Sequence, residues 1–323
     1  MSPAAHKPDP PTIRELVDAL SPRFAFDVLA GRGGLSRALA SARLQKPGLA
    51  LTGSLEYLHE GRLQVLGRSE LRFLARRSHG AAAAVARLCD GSFPALLVTR
   101  GLAPPASLVQ AAEAGGVPVL RTACVTGEVM EALFHFMAVR MAPRRTIHGV
   151  LMDIFGLGVL ILGESGIGKS ECALELVTRG HRLVADDAVE LRLIEDELIG
   201  ASPELSRYYL EVRGLGLINA REMFGITAVA EIKAVEQAIR LVRFDAARSY
   251  DRLGEEQTGW EVLGHRVPLR EVPVAPGRNL AVLLEIAARQ QLLRNRGVDA
   301  AAEIQAELAR RLSQRPRDEE EGS

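Results

Sequence analysis

Residues 163–170 read GESGIGKS, and few local patterns restrict a chain so tightly. Gly163, Gly168, Lys169 and Ser170 satisfy the spacing G-x-x-x-x-G-K-[ST], with Glu164, Ser165, Gly166 and Ile167 in the variable places. The uncharged run VLILG precedes the match, and ECALELVTRG follows it with helical spacing. A strand, a glycine-rich turn and a helix in that order form a phosphate cradle. The glycines let backbone N–H groups turn inward, and the helix N-terminus adds its positive end. Lys169 is placed to reach the outer phosphates and Ser170 to offer its hydroxyl to Mg²⁺. The plain alternative is a glycine turn that does no more than cap a helix.

The chain around this loop is long enough for two domains. It has 323 residues, 47% of them hydrophobic and 25% charged, the profile of a globular protein. Forty basic residues balance forty acidic ones, so net charge draws it neither to nucleic acid nor to an anionic membrane. Cys89, Cys124 and Cys172 are scattered and odd in number, which excludes a disulfide framework and reads as buried structural thiols in a reducing compartment. The start, MSPAAHKPDPPT, is too polar for a signal peptide, and no apolar run approaches the roughly 20 residues of a membrane span. These features predict a cytoplasmic protein.

The N-terminal part alternates strand and helix signals. Helix is predicted for residues 12–20, with Ile13, Leu16 and Val17 at helical spacing, and for 69–78, with Ser69 as a cap. Strands are predicted at KPGLALTG, RLQVLG, FPALLVTR and VPVLRT, with a helix in PPASLVQAAEAGG between the last two. That rhythm predicts an α/β layer with crossover connections. Thr126–Met141 reads as a helix hinging two domains, 1–127 and 128–323. Beyond it, TIHGVLMDI and LGVLILG read as a hairpin turning at FG, HRLVADDAVELRLI reads as a strand, and two helices follow from Asn279 and Asp299.

Asp186 and Asp187 end the segment RLVADD. Adjacent acids at a strand end can serve a metal or accept a proton, and alternation places them on opposite faces, so that one points at the phosphates. Without the upstream loop they would read as turn acids. In EVRGLGLINA, Gly214 and Gly216 read as a tight turn, and in VAPGRNLA the turn Pro276–Gly277 presents Arg278 beside the cap Asn279. His148 and Arg252 are unremarkable in isolation.

Together, TIHG, GESGIGKSECALELVTRGHRLVADD, EVRGLGLIN, YDRLG and PVAPGRNLAVLLEIAA resemble, in order and spacing, the HPr kinase/phosphorylase family; the likeness is dense over residues 140–290. The resemblance implies an N-terminal α/β domain followed by a P-loop kinase domain similar to the nucleotide-binding core of phosphoenolpyruvate carboxykinase. It implies ATP and Mg²⁺ bound by residues 163–170, with Ser170 and Glu211 on the metal. His148, Lys169, Asp187 and Arg252 would be catalytic, Asp187 as the proton acceptor. Pro273, Val274, Ala275, Pro276, Gly277 and Arg278 would form a segment serving dephosphorylation. The implied partners are HPr, inorganic phosphate and pyrophosphate, in a homohexamer. A small-molecule or carboxykinase-like kinase on the same core, or a nucleotide-binding regulator, are the rival readings.

Overall fold

The computed structural model describes residues 8–41, 43–48, 51, 55–76, 78–247, 258–298 and 310. Contacts divide the chain after Ala142 into two compact units.

In the N-terminal unit, helix α1 (Ile13–Leu20) begins at a reciprocal cap: the Thr12 hydroxyl accepts from Glu15 N at 3.2 Å and the Glu15 carboxylate accepts from Thr12 N at 2.7 Å. Strands β1 (Asp27–Ala30), β2 (Gln64–Leu66), β3 (Leu96–Val98) and β4 (Val119–Arg121) form one sheet in the order β1-β4-β3-β2. The last three run parallel, and β1 is antiparallel to β4. Parallel strands need apolar side chains on both faces, and alternation supplies them. Leu66, Leu96, Val98 and Val119 pack beneath α2 (Arg68–Leu74), α3 (His79–Leu88) and α4 (Ala106–Ala114). Val65, Leu97 and Leu120 pack against α1 and α5 (Thr126–Met141).

Three local expectations change. Helix α2 is capped at Gly67 rather than Ser69, because Glu70 reaches back to accept from Gly67 N at 2.9 Å. Of the strand expected at 46–53, only 46–48 and 51 are described, and none of them is in a strand. Helix α5 is a core element of the first unit, not a hinge: Val129, Leu133 and Met137 are fully buried there, so the division falls at 142/143 rather than 127/128.

The C-terminal unit has three layers. Its central sheet runs β15-β16-β14-β7-β6-β8, built from β6 (Val150–Ile154), β7 (Leu157–Gly163), β8 (Arg182–Ala185), β14 (Gln237–Arg243), β15 (Thr258–Val262) and β16 (His265–Val274). Strands β7, β14 and β16 are parallel. One face carries α6 (Lys169–Thr178) and α8 (Leu280–Asn295), which bury Leu176 and Leu284 against Val159 and Ile239. The other face carries a second sheet of β5 (Arg144–His148), β9 (Ala188–Ile194), β10 (Glu197–Ala201) and β13 (Ile232–Ala234), through Val189, Leu191 and Leu198. A separate hairpin, β11 (Tyr209–Val212) and β12 (Gly216–Asn219), leads into the short helix α7 (Ala220–Phe224). The β6–β7 hairpin turns at Phe155–Gly156 as the sequence predicts. Asn279 caps α8, accepting from Val282 N at 2.8 Å. The helix expected from Asp299 lies outside the described residues save Arg310, and among the described residues no helix is long and apolar enough to cross a membrane.

Two segments expected as single strands are each broken into two. TIHGVLMDI runs from β5 to β6 through Gly149, and HRLVADDAVELRLI runs from β8 to β9 through Asp186–Asp187. Both therefore pass from one sheet to the other, and they do so side by side: Leu151 pairs with Ala185, His148 pairs with Ala188, and Gly149 N donates to Asp187 O at 3.1 Å. Gly149 is required at this corner, since a Cβ there would lie 2.9 Å from Ile161 O.

Helix α8 is tied to the end of α6 by charge. Glu285 accepts from Arg179 Nε and Nη2 at 3.0 and 2.7 Å and lies 2.9 Å from His181 Nε2. The Arg179 hydrogen bonds, with help from His181, hold the Glu285 carboxyl down from 4.5 to about 2. A depressed carboxyl stabilises the fold above its unfolded value and loses that contribution as pH falls through the folded one. Glu285→Gln is thus expected to cost about 2 kcal/mol at pH 7. The gap from the parent should close between pH 4.5 and about 2, as read by chemical unfolding at several pH values. A constant gap across that window would show that packing, not charge, carries the contribution.

Candidate functional site

Strand β7 ends at Gly163, the glycine-rich loop follows, and α6 begins at Lys169. Gly168 stands at the helix N-cap with φ 102°, a conformation that lets the chain enter the helix with its first amides turned into the loop. The Lys169 side chain folds back over the loop. Its ammonium donates to the carbonyls of Gly163 and Glu164 at 3.1 and 3.0 Å and sits 2.9 Å from His148 Nε2. Lys169 is only 6% exposed. Burial pushes its pKa down, and Asp186, then Asp187, pull it back up.

Above the loop is a cavity of about 120 Å³, lined by Ser165, Gly166, Gly168, Lys169, Ser170, Glu171, His148, Asp186, Asp187, Glu211 and Arg213. The double passage between sheets brings His148 and the two aspartates there, and β11 brings Glu211. Both aspartates line it, where strand alternation predicts one. A tight turn, not a pleat, separates them: Asp187 has φ 65°, and Ala188 N donates to Asp186 O at 2.8 Å.

The two carboxylates have different surroundings. Asp186 is buried; Oδ1 accepts from Ser170 Oγ at 2.9 Å and Oδ2 from Glu211 N at 3.0 Å. Burial pushes its pKa up, and these hydrogen bonds oppose that. The Asp187 side chain is 69% exposed, with Oδ1 and the backbone O each 3.0 Å from His148 Nδ1. Both neighbours of Nδ1 are oxygens, so Nδ1 carries the imidazole hydrogen and Nε2 accepts from Lys169. Asp187, His148 and Lys169 thus form one hydrogen-bonded line from the cavity mouth to the loop.

Arg213 was not singled out by the sequence as a site residue. It lies against the loop: a methyl group on Gly166 would be 2.7 Å from Arg213 Nη2. The signal was alternation in β11, where Leu210 and Val212 are buried in the core and Glu211 faces the cavity. Pro273–Arg278 finishes β16 and turns, with Arg278 N donating to Ala275 O at 3.2 Å; Arg278 is exposed and does not line the cavity. Arg252 lies outside the described residues. Cys89 and Cys172 are buried, and burial pushes both thiols up to about 12, so neither is a nucleophile at neutral pH.

A Mg²⁺ ion asks for oxygen donors, and Ser170, Asp186 and Glu211, which carry a hydroxyl and two carboxylates, are among the residues lining the cavity. Among the described residues no three His, Cys, Asp or Glu side chains converge as a closed metal cage. Mg²⁺ is ordinarily held by one or two carboxylates with phosphate oxygens and water, so the donors present fit it.

Fold and site together define a mixed α/β protein with a glycine-rich strand–loop–helix cradle facing paired carboxylates. Residues 12–137 match the family model described as HPr Serine kinase N terminus, and residues 123–308 match HPr Serine kinase C-terminal domain. The chain belongs to the HPr kinase/phosphorylase family. It is 44% identical over 289 residues to the HPr kinase/phosphorylase of an Exiguobacterium species, covering 89% of this chain and 93% of that one. It is 42% identical over 306 residues to that of Geobacter sulfurreducens, covering 94% and 96%. It is also similar to the solved Hpr(Ser) kinase/phosphatase of Coxiella burnetii, with 36% identity, a TM-score of 0.46, and coverage of 50% of this chain and 98% of that one.

Proposed function

We propose that this protein uses ATP to phosphorylate a serine of HPr, and removes that phosphate by phosphorolysis. Family membership supports the activity, and one observation carries the chemistry. The base Asp187 and the phosphate clamp Lys169 are held by the same imidazole, at 3.0 Å and 2.9 Å.

In the forward direction Lys169 and the loop amides hold the γ-phosphate. The serine Oγ attacks phosphorus, Asp187 takes its proton, and the bond to the bridging oxygen of ADP breaks. In reverse, an oxygen of inorganic phosphate attacks the phosphorus of phosphoserine. Asp187 takes the proton of the attacking hydrogen phosphate and passes it to the serine Oγ as the bond from that oxygen to phosphorus breaks, and pyrophosphate forms. His148 positions Asp187, while Asp186 is occupied by Ser170 and Glu211 N. Ser170, Asp186 and Glu211 would hold Mg²⁺, which when bound supplies charge neutralisation to the phosphates.

The same reading includes Arg252 as a further catalytic cation, a core similar to that of phosphoenolpyruvate carboxykinase, a cytoplasmic setting and a homohexamer. A monomeric mass at working concentration would contradict the hexamer. The deciding experiment incubates the protein with purified HPr and ATP, then adds phosphate to serine-phosphorylated HPr and measures pyrophosphate. Transfer to a metabolite instead, or no transfer at all, would favour a small-molecule kinase or a nucleotide-binding regulator.

The segment Pro273–Arg278 is assigned to phosphorolysis. Free phosphate must be captured and oriented, whereas ATP brings its γ-phosphate already attached, so an arginine clamp matters more in reverse. Arg278→Ala is expected to lower phosphorolysis at least tenfold more than kinase activity, a selective loss of about 1.4 kcal/mol. Equal losses in the two directions would assign Arg278 to a step they share.

A further inference from the structure

A nucleoside triphosphate has a charged end and an aromatic end, and the cavity holding His148, Lys169 and the aspartates suits the first only. It is small, about 120 Å³, and walled by ionisable groups. The loop also borders a second cavity of about 400 Å³, lined by Gly163, Glu164, Ile167, Arg240, Leu241, Val242 and Arg243. That volume falls in the ordinary range for organic ligands, roughly 300–1,000 Å³. Its floor is apolar: Ile167 and Leu241 are buried members of the unit's core, and Val242 is half-buried beside them. It opens at the carboxyl ends of the parallel neighbours β7 and β14, where ligands of open α/β sheets bind.

Two guanidinium groups complete it. Arg240 Nη1 lies 3.5 Å from Glu271 Oε1, and Arg243 Nε lies 3.3 Å from Glu164 Oε2, so a salt bridge joins the end of β14 to the second residue of the loop. Apolar walls with planar cations at the rim are complementary to a flat, electron-rich ring, which stacks on a guanidinium face. The loop contributes Gly163, Glu164 and Ile167 to this cavity and Gly166, Gly168 and Lys169 to the other. A ligand lying along the loop can therefore place its phosphates in one and its base in the other.

We propose that the cavity between the glycine-rich loop and the end of β14 is the purine-base subsite, with Arg243 as the stacking residue that sets affinity for ATP over base-free phosphates. The proposal rests on the two-directional reading above, which makes it separable: the kinase reaction carries a base, and phosphorolysis carries none.

The test is calorimetric titration of the full-length protein, with Mg²⁺ present, using ATP and, separately, inorganic pyrophosphate. Arg243 is 77% exposed at its side chain, so its replacement should not disturb the core. Arg243→Ala is expected to weaken ATP about tenfold and pyrophosphate less than about twofold. Arg243→Lys, which keeps the charge but loses the planar face, is expected to remain at least about fivefold weak for ATP. In assays, kinase activity at limiting ATP should fall with the ATP affinity while phosphorolysis stays within about twofold. Equal weakening of both ligands, restoration of ATP binding by lysine, or unchanged ATP binding would each overturn the subsite. The binding arm needs no HPr, so a parent protein that binds ATP and phosphorylates nothing would refute the HPr reading and leave the subsite standing.

Discussion

Asp187→Asn is expected to lower both the kinase and the phosphorolysis rates by about 10²–10⁴-fold while the protein stays folded. Asparagine is the informative replacement at this position. Asp187 has φ 65°, in the left-handed region that asparagine tolerates and most side chains do not. The amide oxygen can still accept from His148 Nδ1, so the line from Asp187 through His148 to Lys169 survives. What is lost is the ability to take and return a proton. Nucleotide affinity should therefore change little and the rates should collapse together. Melting temperature and ATP binding are the controls. A variant that stays within tenfold of the parent in both directions would move the proton transfer to another group. Asp186 is the near neighbour, but both of its oxygens already have donors.

Lys169→Ala is expected to lower the forward rate by about 10²–10³-fold or more, and to weaken nucleotide as well as rate. The ammonium lies against His148 and supports the loop itself through the carbonyls of Gly163 and Glu164. Removing it would take away the proposed phosphate clamp and two of the bonds that shape the loop. It also removes a buried positive charge that interacts with Asp186, and some stability should go with it. Lys169→Met, which fills the volume without the charge, separates the effects: rate remains low, and stability recovers in part. A folded alanine variant that phosphorylates HPr at the parental rate would mean that this loop is not the phosphate cradle. Loss of binding distinguishes this variant from Asp187→Asn, in which rate alone should suffer.

Interactions short in sequence were legible without a structure. The strand, loop and helix around residues 163–170 follow from hydrophobic spacing and glycine placement within one stretch of chain. So do the cap at Asn279 and the Phe155–Gly156 hairpin, because each is set by neighbours a few residues away. The strand–helix rhythm of the N-terminal unit is of the same kind. At 46–48 and 51, the described residues of the run KPGLALTG, no strand forms, for an apolar run bounded by glycine states a preference, and pairing partners decide whether it becomes a strand.

The site's assembly depended on contacts that no local pattern states. Periodicity reads HRLVADDAVELRLI as one strand, because burial on both sides of Asp186 and Asp187 looks continuous in sequence. Yet β8 and β9 belong to different sheets, and only the pairing of Leu151 with Ala185 and of His148 with Ala188 shows the break. That break sends Asp186 inward to Ser170 and leaves Asp187 exposed beside His148. Two identical side chains thus acquire different surroundings from position alone. Likewise, β14 enters the sheet next to β7 from more than seventy positions away, and its end brings Arg240 and Arg243 to the far side of the loop. Sequence by itself determined the glycine-rich turn between strand and helix at residues 163–170, since backbone geometry over eight consecutive residues suffices for that. Only the tertiary structure decided that both carboxylates line the cavity above the loop, one buried and one exposed, and what lies on the loop's other flank. Both depend on strand pairings between distant segments, whose free energy comes from burying two sheets and two helices at once.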